Sequence, residues 1–360
     1  MSERLITIMR SGSESMATLR KKAIVRAGLA APVRSALTTG GHLADLTSRF
    51  HGGETAGSAV DSVRQLRRGD VLASVHLRRP PVRGRVDAEL YVASYTRLVD
   101  ALAAAGLASG SDLSLKLEQV GFRSTATWAE TVGRLREVVA AGDAVGLTTT
   151  IDMEGSEEVD STLEAVQELR EDFPSVGVAL QSLLRRTEAD CAALSQAGSR
   201  VRLVKGGYQA PPDQVVGGRV DIDRSYARCL RLLMEGEGYP MVATHDPRLI
   251  RVAEQLALRA RRSHGDHEFQ MLQGIAVGEQ HRLASSGSVV RSYVAYGPEW
   301  YSWLVRRVSE KPSNLLHVAR AARDRHAKAG ATDRTRHPAL SIDRSMAQRA
   351  ATPERRRATR

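Results

Sequence analysis

Cysteine is nearly missing from this chain of 360 residues. Its two copies, Cys191 and Cys229, lack C-x-x-C or any other metal-ligand spacing. That excludes a disulfide scaffold, gives no sign of a metal site, and suits a reducing compartment with both thiols free. Long apolar runs are missing as well: none approaches the roughly 18 to 20 residues of a membrane span, so a soluble, cytoplasmic protein is expected. The N-terminal stretch has no secretory h-region, and although it is rich in Arg, Ser and Ala, Met16 to Ala36 reads better as an amphipathic helix with Leu19, Ile24, Val25, Leu29 and Val33 on one face.

The middle of the chain also lacks an excess of basic charge. The formal net charge is +11, but residues 315–360 carry 12 Arg and Lys against 4 Asp and Glu, and residues 1–36 carry 7 against 2. The stretch between them is close to neutral, so a basic stripe on the folded body is not indicated and nucleic-acid binding is not expected. The end of the chain, with Arg355, Arg356 and Arg357 and almost no large apolar residue, reads as a disordered, solvated tail.

At 42% hydrophobic the chain has ample material for a large core, and its length suits one α/β barrel with extensions. Short apolar or β-branched runs alternate with segments of helical period. Eight runs can be counted: Leu72–Leu77, Leu113–Glu118, Gly146–Asp152, Val176–Gln181, Arg200–Gly206, Pro240–His245, Glu268–Gln273 and Arg291–Tyr296. Between them, Glu130–Ala141, Val159–Asp172, Thr187–Ala197, Ser225–Glu235 and Arg248–Arg262 have helical apolar spacing. Eight βα units predict a closed α/β barrel of the (β/α)8 TIM type over residues 46–315. A helical extension over 1–45 precedes it, and the end of the last helix with the Arg-rich tail follows over 316–360.

Polar residues fall at the C-terminal ends of these runs: Lys116, Asp152, Gln181, Lys205, His245 and Gln273. That rim is where barrel enzymes build active sites. Lys116 and Asp152 interrupt apolar runs and would be costly to bury unpaired, so they are expected to face each other across adjacent strands. They could form a structural pair or orient a polar substrate, or Lys116 could act as a Schiff-base amine. Arg202-Leu-Val-Lys-Gly-Gly-Tyr208 ends a strand in a lysine and two glycines, Gly206 and Gly207, whose N–H groups suit a phosphate as well as a tight turn. In the segment Tyr293 to Glu310 an aromatic-rich helix ends in Arg306 and Arg307, which suit a carboxylate, and Glu310 lies within i,i+3 or i,i+4 reach to orient one of them.

Taken in order, Arg49-Phe-His-Gly-Gly-Glu-Thr55, Leu115-Lys-Leu117, Ile151-Asp-Met-Glu154, Leu180-Gln181, Arg202 to Tyr208, Ala243-Thr-His-Asp246, Glu268-Phe-Gln-Met-Leu272 and Tyr293 to Glu310 resemble the catalytic domain of FAD-dependent proline dehydrogenases of the short, monofunctional bacterial kind. The resemblance implies a distorted barrel and oxidation of L-proline to Δ1-pyrroline-5-carboxylate, with hydride passing to flavin N5 and electrons to a membrane quinone. It further implies that Arg306, Arg307, Lys116, Tyr293 and Leu272 bind substrate, that Asp152 pairs with Lys116, and that Arg202 lies beside the flavin. Gln181, Lys205, Gly206, Gly207, Thr244 and His245 would hold FAD. A quinone acceptor also gives the basic ends a role in peripheral association with the inner face of the cell membrane. Three positions depart from the family pattern: Gly207 stands where alanine is usual, Gln273 where an aromatic is frequent, and Arg78-Arg-Pro-Pro81 where an acidic residue is common. Two other readings are a Schiff-base aldolase built on Lys116, and a silent barrel whose tail binds nucleic acid.

Overall fold

The computed structural model describes residues 47–310 except Thr125 and Ala197, and of residues 306–310 it describes the helical backbone alone. The expected helical extension over 1–45 and the tail over 316–360 lie outside the described residues. A short turn, Ser48–Phe50, leads into α1 (Ala56–Arg67). Then follow β1 (Leu72–Leu77), α2 (Arg85–Ala104), β2 (Asp112–Leu115), α3 (Trp128–Asp143), β3 (Thr148–Ile151), α4 (Val159–Arg170), β4 (Gly177–Gln181) and α5 (Thr187–Ala193). The series ends with β5 (Arg200–Val204), α6 (Arg219–Glu235), β6 (Tyr239–Ala243), α7 (Pro247–Arg259), β7 (Glu268–Leu272), α8 (Val277–Ser285), β8 (Val289–Tyr296) and α9 (Trp300–Glu310). All neighbouring strands are parallel, and β8 pairs with β1 over the full length of β1, which closes the expected barrel.

Local signals fix several helix starts. Thr55 with Ser58 and Thr127 with Glu130 form reciprocal capping boxes at α1 and α3. Asp246 caps α7, with Pro247 in the first helical position, where its missing N–H costs nothing. Some strands, β2 among them, stop earlier than their apolar patterns do. Beyond Leu115 the chain turns into a short 3-10 segment, Leu117–Val120, which closes on Gly121 in the left-handed region, so Lys116 sits just past the end of β2.

The apolar core lies between the strands and the helices. Val75, Leu113, Leu115, Ile151, Val178, Leu180, Val201, Leu203, Phe269 and Val290 are buried there. The inside of the barrel is instead polar, unlike the aliphatic layers usual in this architecture. Arg202 on β5 reaches Ser74 on β1 and Ser114 on β2, which only an inward-pointing side chain can do. With a two-residue period, Asp112, Ser114 and then Lys116 share the inward side of their strand, as do Ser74 and His76 on β1. Buried ions in such a place are tolerable when they are bonded. Arg291 binds Glu268 through two bonds of 2.7 and 2.8 Å and gives its third nitrogen to the carbonyls of Ala73 and Gly110.

Candidate active site at the barrel mouth

All six expected rim residues lie at C-terminal strand ends: Gln181 closes β4, and Lys116, Asp152, Lys205, His245 and Gln273 follow within two residues of β2, β3, β5, β6 and β7. Lys116 does not pair with Asp152. Its ammonium lies 2.5 Å from Glu154 Oε1 and 2.6 Å from the Tyr208 hydroxyl, which itself donates to Glu154 at 3.1 Å. The strand register sets Lys116 opposite Asp152, but that carboxylate is already engaged by Arg202, Ser114 and Tyr293, and the lysine side chain reaches Glu154 instead. Burial works against the Lys116 charge, but Glu154, then Tyr208 and Asp152, outweigh it and hold the ammonium above its usual range.

Asp152 accepts from Arg202 at 2.6 Å, from Ser114 at 2.7 Å and from the Tyr293 hydroxyl at 3.0 Å. Burial alone would raise its pKa; the charges of Arg202 and then Lys116 reverse the sign and keep it below the ordinary carboxyl value. The Tyr293 phenol is pushed up by burial and by the neighbouring Asp152, so it stays a hydrogen-bond donor. His76, wholly buried on β1, bonds the Ser114 carbonyl through Nδ1 at 2.9 Å, and Arg78 approaches its Nε2 at 3.3 Å. Burial, then Arg78, depress its pKa to about 3, so it stays neutral.

Across the mouth, Gln181 donates to the Glu154 carbonyl and accepts from the Gly207 N–H at 3.4 Å. Lys205 is bound by Asp223 at 2.5 Å and Asp246 at 3.2 Å. Thr244 accepts from the Asp246 N–H, and His245 Nε2 accepts from the Leu272 N–H at 2.8 Å. Leu272 is in register with Tyr293, so the two share the inward side of adjacent strands. Arg306, Arg307 and Glu310 fall on α9, and their side chains lie outside the described residues.

The sequence model of the family described as proline dehydrogenase matches residues 59–320, most of this chain. The chain belongs to the proline dehydrogenase family. It is similar to "Proline dehydrogenase" of Deinococcus radiodurans, 32% identical over 278 residues that make up 76% of this chain and 89% of that protein. "Proline dehydrogenase 1" of Bacillus subtilis strain 168 is 30% identical over 270 residues, 75% of this chain and 88% of that protein. Among solved structures, proline utilization A (PutA) from Bdellovibrio bacteriovorus, inactivated by N-propargylglycine, superposes with a TM-score of 0.69 at 22% identity. The match covers 82% of this chain and 36% of that one, and it speaks for the fold alone. This chain therefore spans about a third of that larger protein.

Within this proline dehydrogenase family site, Glu154, Tyr208, Asp112 and Gln270 were not singled out from the sequence. A signal for Glu154 existed. It stands two residues beyond Asp152, and a period of two carries it to the same side of its strand, one layer nearer the mouth.

Proposed function

We propose that this protein oxidises L-proline to Δ1-pyrroline-5-carboxylate with bound FAD, the first step of proline breakdown to glutamate. The observation that carries this reading is a pair of bonded groups, Tyr293–Asp152–Arg202 and Lys116–Glu154–Tyr208, at the mouth of a barrel of this family. The loop after β5 fits a ligand with phosphates. Gly206 has φ +99°, with Leu183 and Gln181 occupying the space a Cβ would need, while nothing lies within 4 Å of a Cβ built on Gly207. The backbone there can approach a ligand closely, and it stands beside Lys205. Gln181, Lys205, Gly206, Gly207, Thr244 and His245 would hold the cofactor. FAD, when bound, supplies the acceptor for the hydride on the ring carbon next to nitrogen.

In this reading Lys116, kept charged by Glu154, receives the substrate carboxylate together with Arg306 and Arg307, and Glu310 orients one of the two arginines. Planar guanidinium groups bind carboxylate bidentately, so lysine would serve poorly at the two arginine positions. Tyr293 and Leu272 bound the ring, and Asp152 fixes the Tyr293 hydroxyl. The charge on Lys116 also argues against the Schiff-base alternative, which requires a neutral amine. Electrons would leave to a quinone, with the basic ends of the chain resting on the inner face of the cell membrane. No helix among the described residues is long and apolar enough to cross one.

The test is anaerobic addition of L-proline to flavin-loaded protein, with D-proline and glutamate as controls. Bleaching of the flavin bands by L-proline alone is expected. A flavin-loaded protein that L-proline fails to bleach refutes the substrate assignment.

A further inference from the structure

Arg202 has no N–H left to offer. Nε donates to Gln270 at 2.6 Å, Nη1 to Ser114 at 2.9 Å and Asp152 at 2.6 Å, and Nη2 to Ser74 at 2.9 Å and Asp112 at 3.0 Å. These account for all five donors of a guanidinium. The side chain is 3% exposed, so it is a fixed charge clamped between two carboxylates. Asp152 lies on the mouth side, and Asp112, fully buried at the start of β2, lies on the floor side. Asp112 also accepts from Ser74 at 2.6 Å, Thr148 at 2.9 Å and Thr150 at 3.0 Å. One guanidinium against two carboxylates leaves this trio with a formal excess of one negative charge.

We infer that Asp112 is a positioning residue that locks Arg202 and offsets its charge, so that a flavin at the mouth is harder to reduce than Arg202 and Asp152 alone would make it. The inference rests on the function proposed above. Its physics is simple. Two-electron reduction adds negative charge to the flavin, a nearby cation favours that and a nearby carboxylate opposes it, and in a site of low dielectric neither is well screened. Asp112 does not touch the mouth itself; it acts through the guanidinium it holds.

Asp112→Asn separates charge from shape. The amide keeps an acceptor for Arg202 and Ser74, and the hydroxyls of Thr148 and Thr150 can turn to accept from the new NH2 group. The experiment is a reductive titration of full-length, flavin-loaded protein against a reference dye, comparing the parent, Asp112→Asn and Thr148→Val. Thr148→Val removes one bond to the carboxylate and no charge. Asp112→Asn should favour the reduced flavin by about tenfold, an upward shift of about 30 mV for a two-electron couple, while Thr148→Val stays with the parent. Equal midpoints in the parent and Asp112→Asn overturn the inference, as does a Thr148→Val shift as large as that of Asp112→Asn, which would trace the effect to packing. If Asp112→Asn does not fold, Asp112→Ser, smaller and also uncharged, is read the same way. A parent protein that takes up no flavin removes the proposed function and this inference together. Equal midpoints in flavin-bearing proteins that L-proline bleaches remove the inference alone.

Discussion

Lys116 and Glu154 are bonded at 2.5 Å with side chains only 9% and 10% exposed. Removing one member of such a pair leaves a lone buried charge, at a cost of about 3–5 kcal/mol. The Glu154 carboxyl is pushed up to about 7, chiefly by burial. A carboxyl whose folded pKa lies above its unfolded value contributes stability that is complete at low pH and is lost as pH rises through the folded value. Lys116→Met takes away the charge that compensates Glu154 above pH 7, and at pH 5 protonated Glu154 needs no compensation. The variant should therefore lose about 3–5 kcal/mol at pH 8 and much less at pH 5. Urea denaturation at both values checks this, and an equal loss at the two would contradict it.

Arg306, proposed to bind the substrate carboxylate, gives a kinetic prediction. Truncating one partner of a buried charge pair costs about 2–5 kcal/mol, and about 1.4 kcal/mol is tenfold. Arg306→Met should raise KM for L-proline by roughly 30-fold or more. An unchanged KM would take Arg306 out of the site.

The barrel was legible in the sequence because its outward strand faces are strongly apolar and its rim residues interrupt those faces. Leu72–Leu77 was read with the bounds the structure gives, and every other expected strand overlaps an observed one. The bounds failed where apolar residues continue past the ladder, as at Leu117, which belongs to a 3-10 turn. Helix α2 has a buried stripe at helical spacing, Ala88, Tyr91, Val92, Tyr95, Leu98, Val99 and Leu102, which exposed Val86 and Leu90 and buried Ser94 obscure in the sequence. The partners inside the barrel were harder still. Lys116 and Asp152 end adjacent strands in register, yet register says nothing of which carboxylate a long side chain reaches. One layer separates Asp152 from Glu154, and Arg202 reaches across the barrel from β5 to claim the lower carboxylate. Asp112 follows Ser109-Gly-Ser111 just before the expected run Leu113–Glu118, and Gln270 is an internal position of Glu268–Gln273; only closure of the barrel brings them to Arg202.

Arg291 and Glu268 make another buried pair, with side chains 5% and 0% exposed. Arg291 opposes burial of the Glu268 carboxylate and holds its pKa near 2. Glu268→Leu should cost about 3–5 kcal/mol by stranding Arg291, whereas Glu268→Leu combined with Arg291→Met should recover much of that loss. The double-mutant cycle, read from urea midpoints, checks it. Purely additive losses would show that the pair carries no coupling.

His51 ties the segment before α1 to α9. Its ring stacks on Trp300, with centroids 3.4 Å apart and planes at 21°, and its Nδ1 accepts from the Gly53 N–H at 2.8 Å. A protonated Nδ1 could not accept that bond, and burial lowers the His51 pKa to about 4. Since the folded value lies below the unfolded one, the resulting stability is complete above about pH 6.5 and is lost as pH falls through about 4. The span of about 2.5 units corresponds to roughly 3 kcal/mol. His51→Phe keeps the stack and cannot titrate, but it gives up the accepted bond at every pH, about 1 kcal/mol. The variant should be slightly less stable than the parent at pH 7 and at least as stable near pH 4, so their curves of urea midpoint against pH should cross. His76 titrates in the same direction in both proteins and cancels from the comparison. Parallel curves would mean that His51 is not held neutral by its place against Trp300, and that the start of α9, the helix of Arg306 and Arg307, is fixed by other contacts.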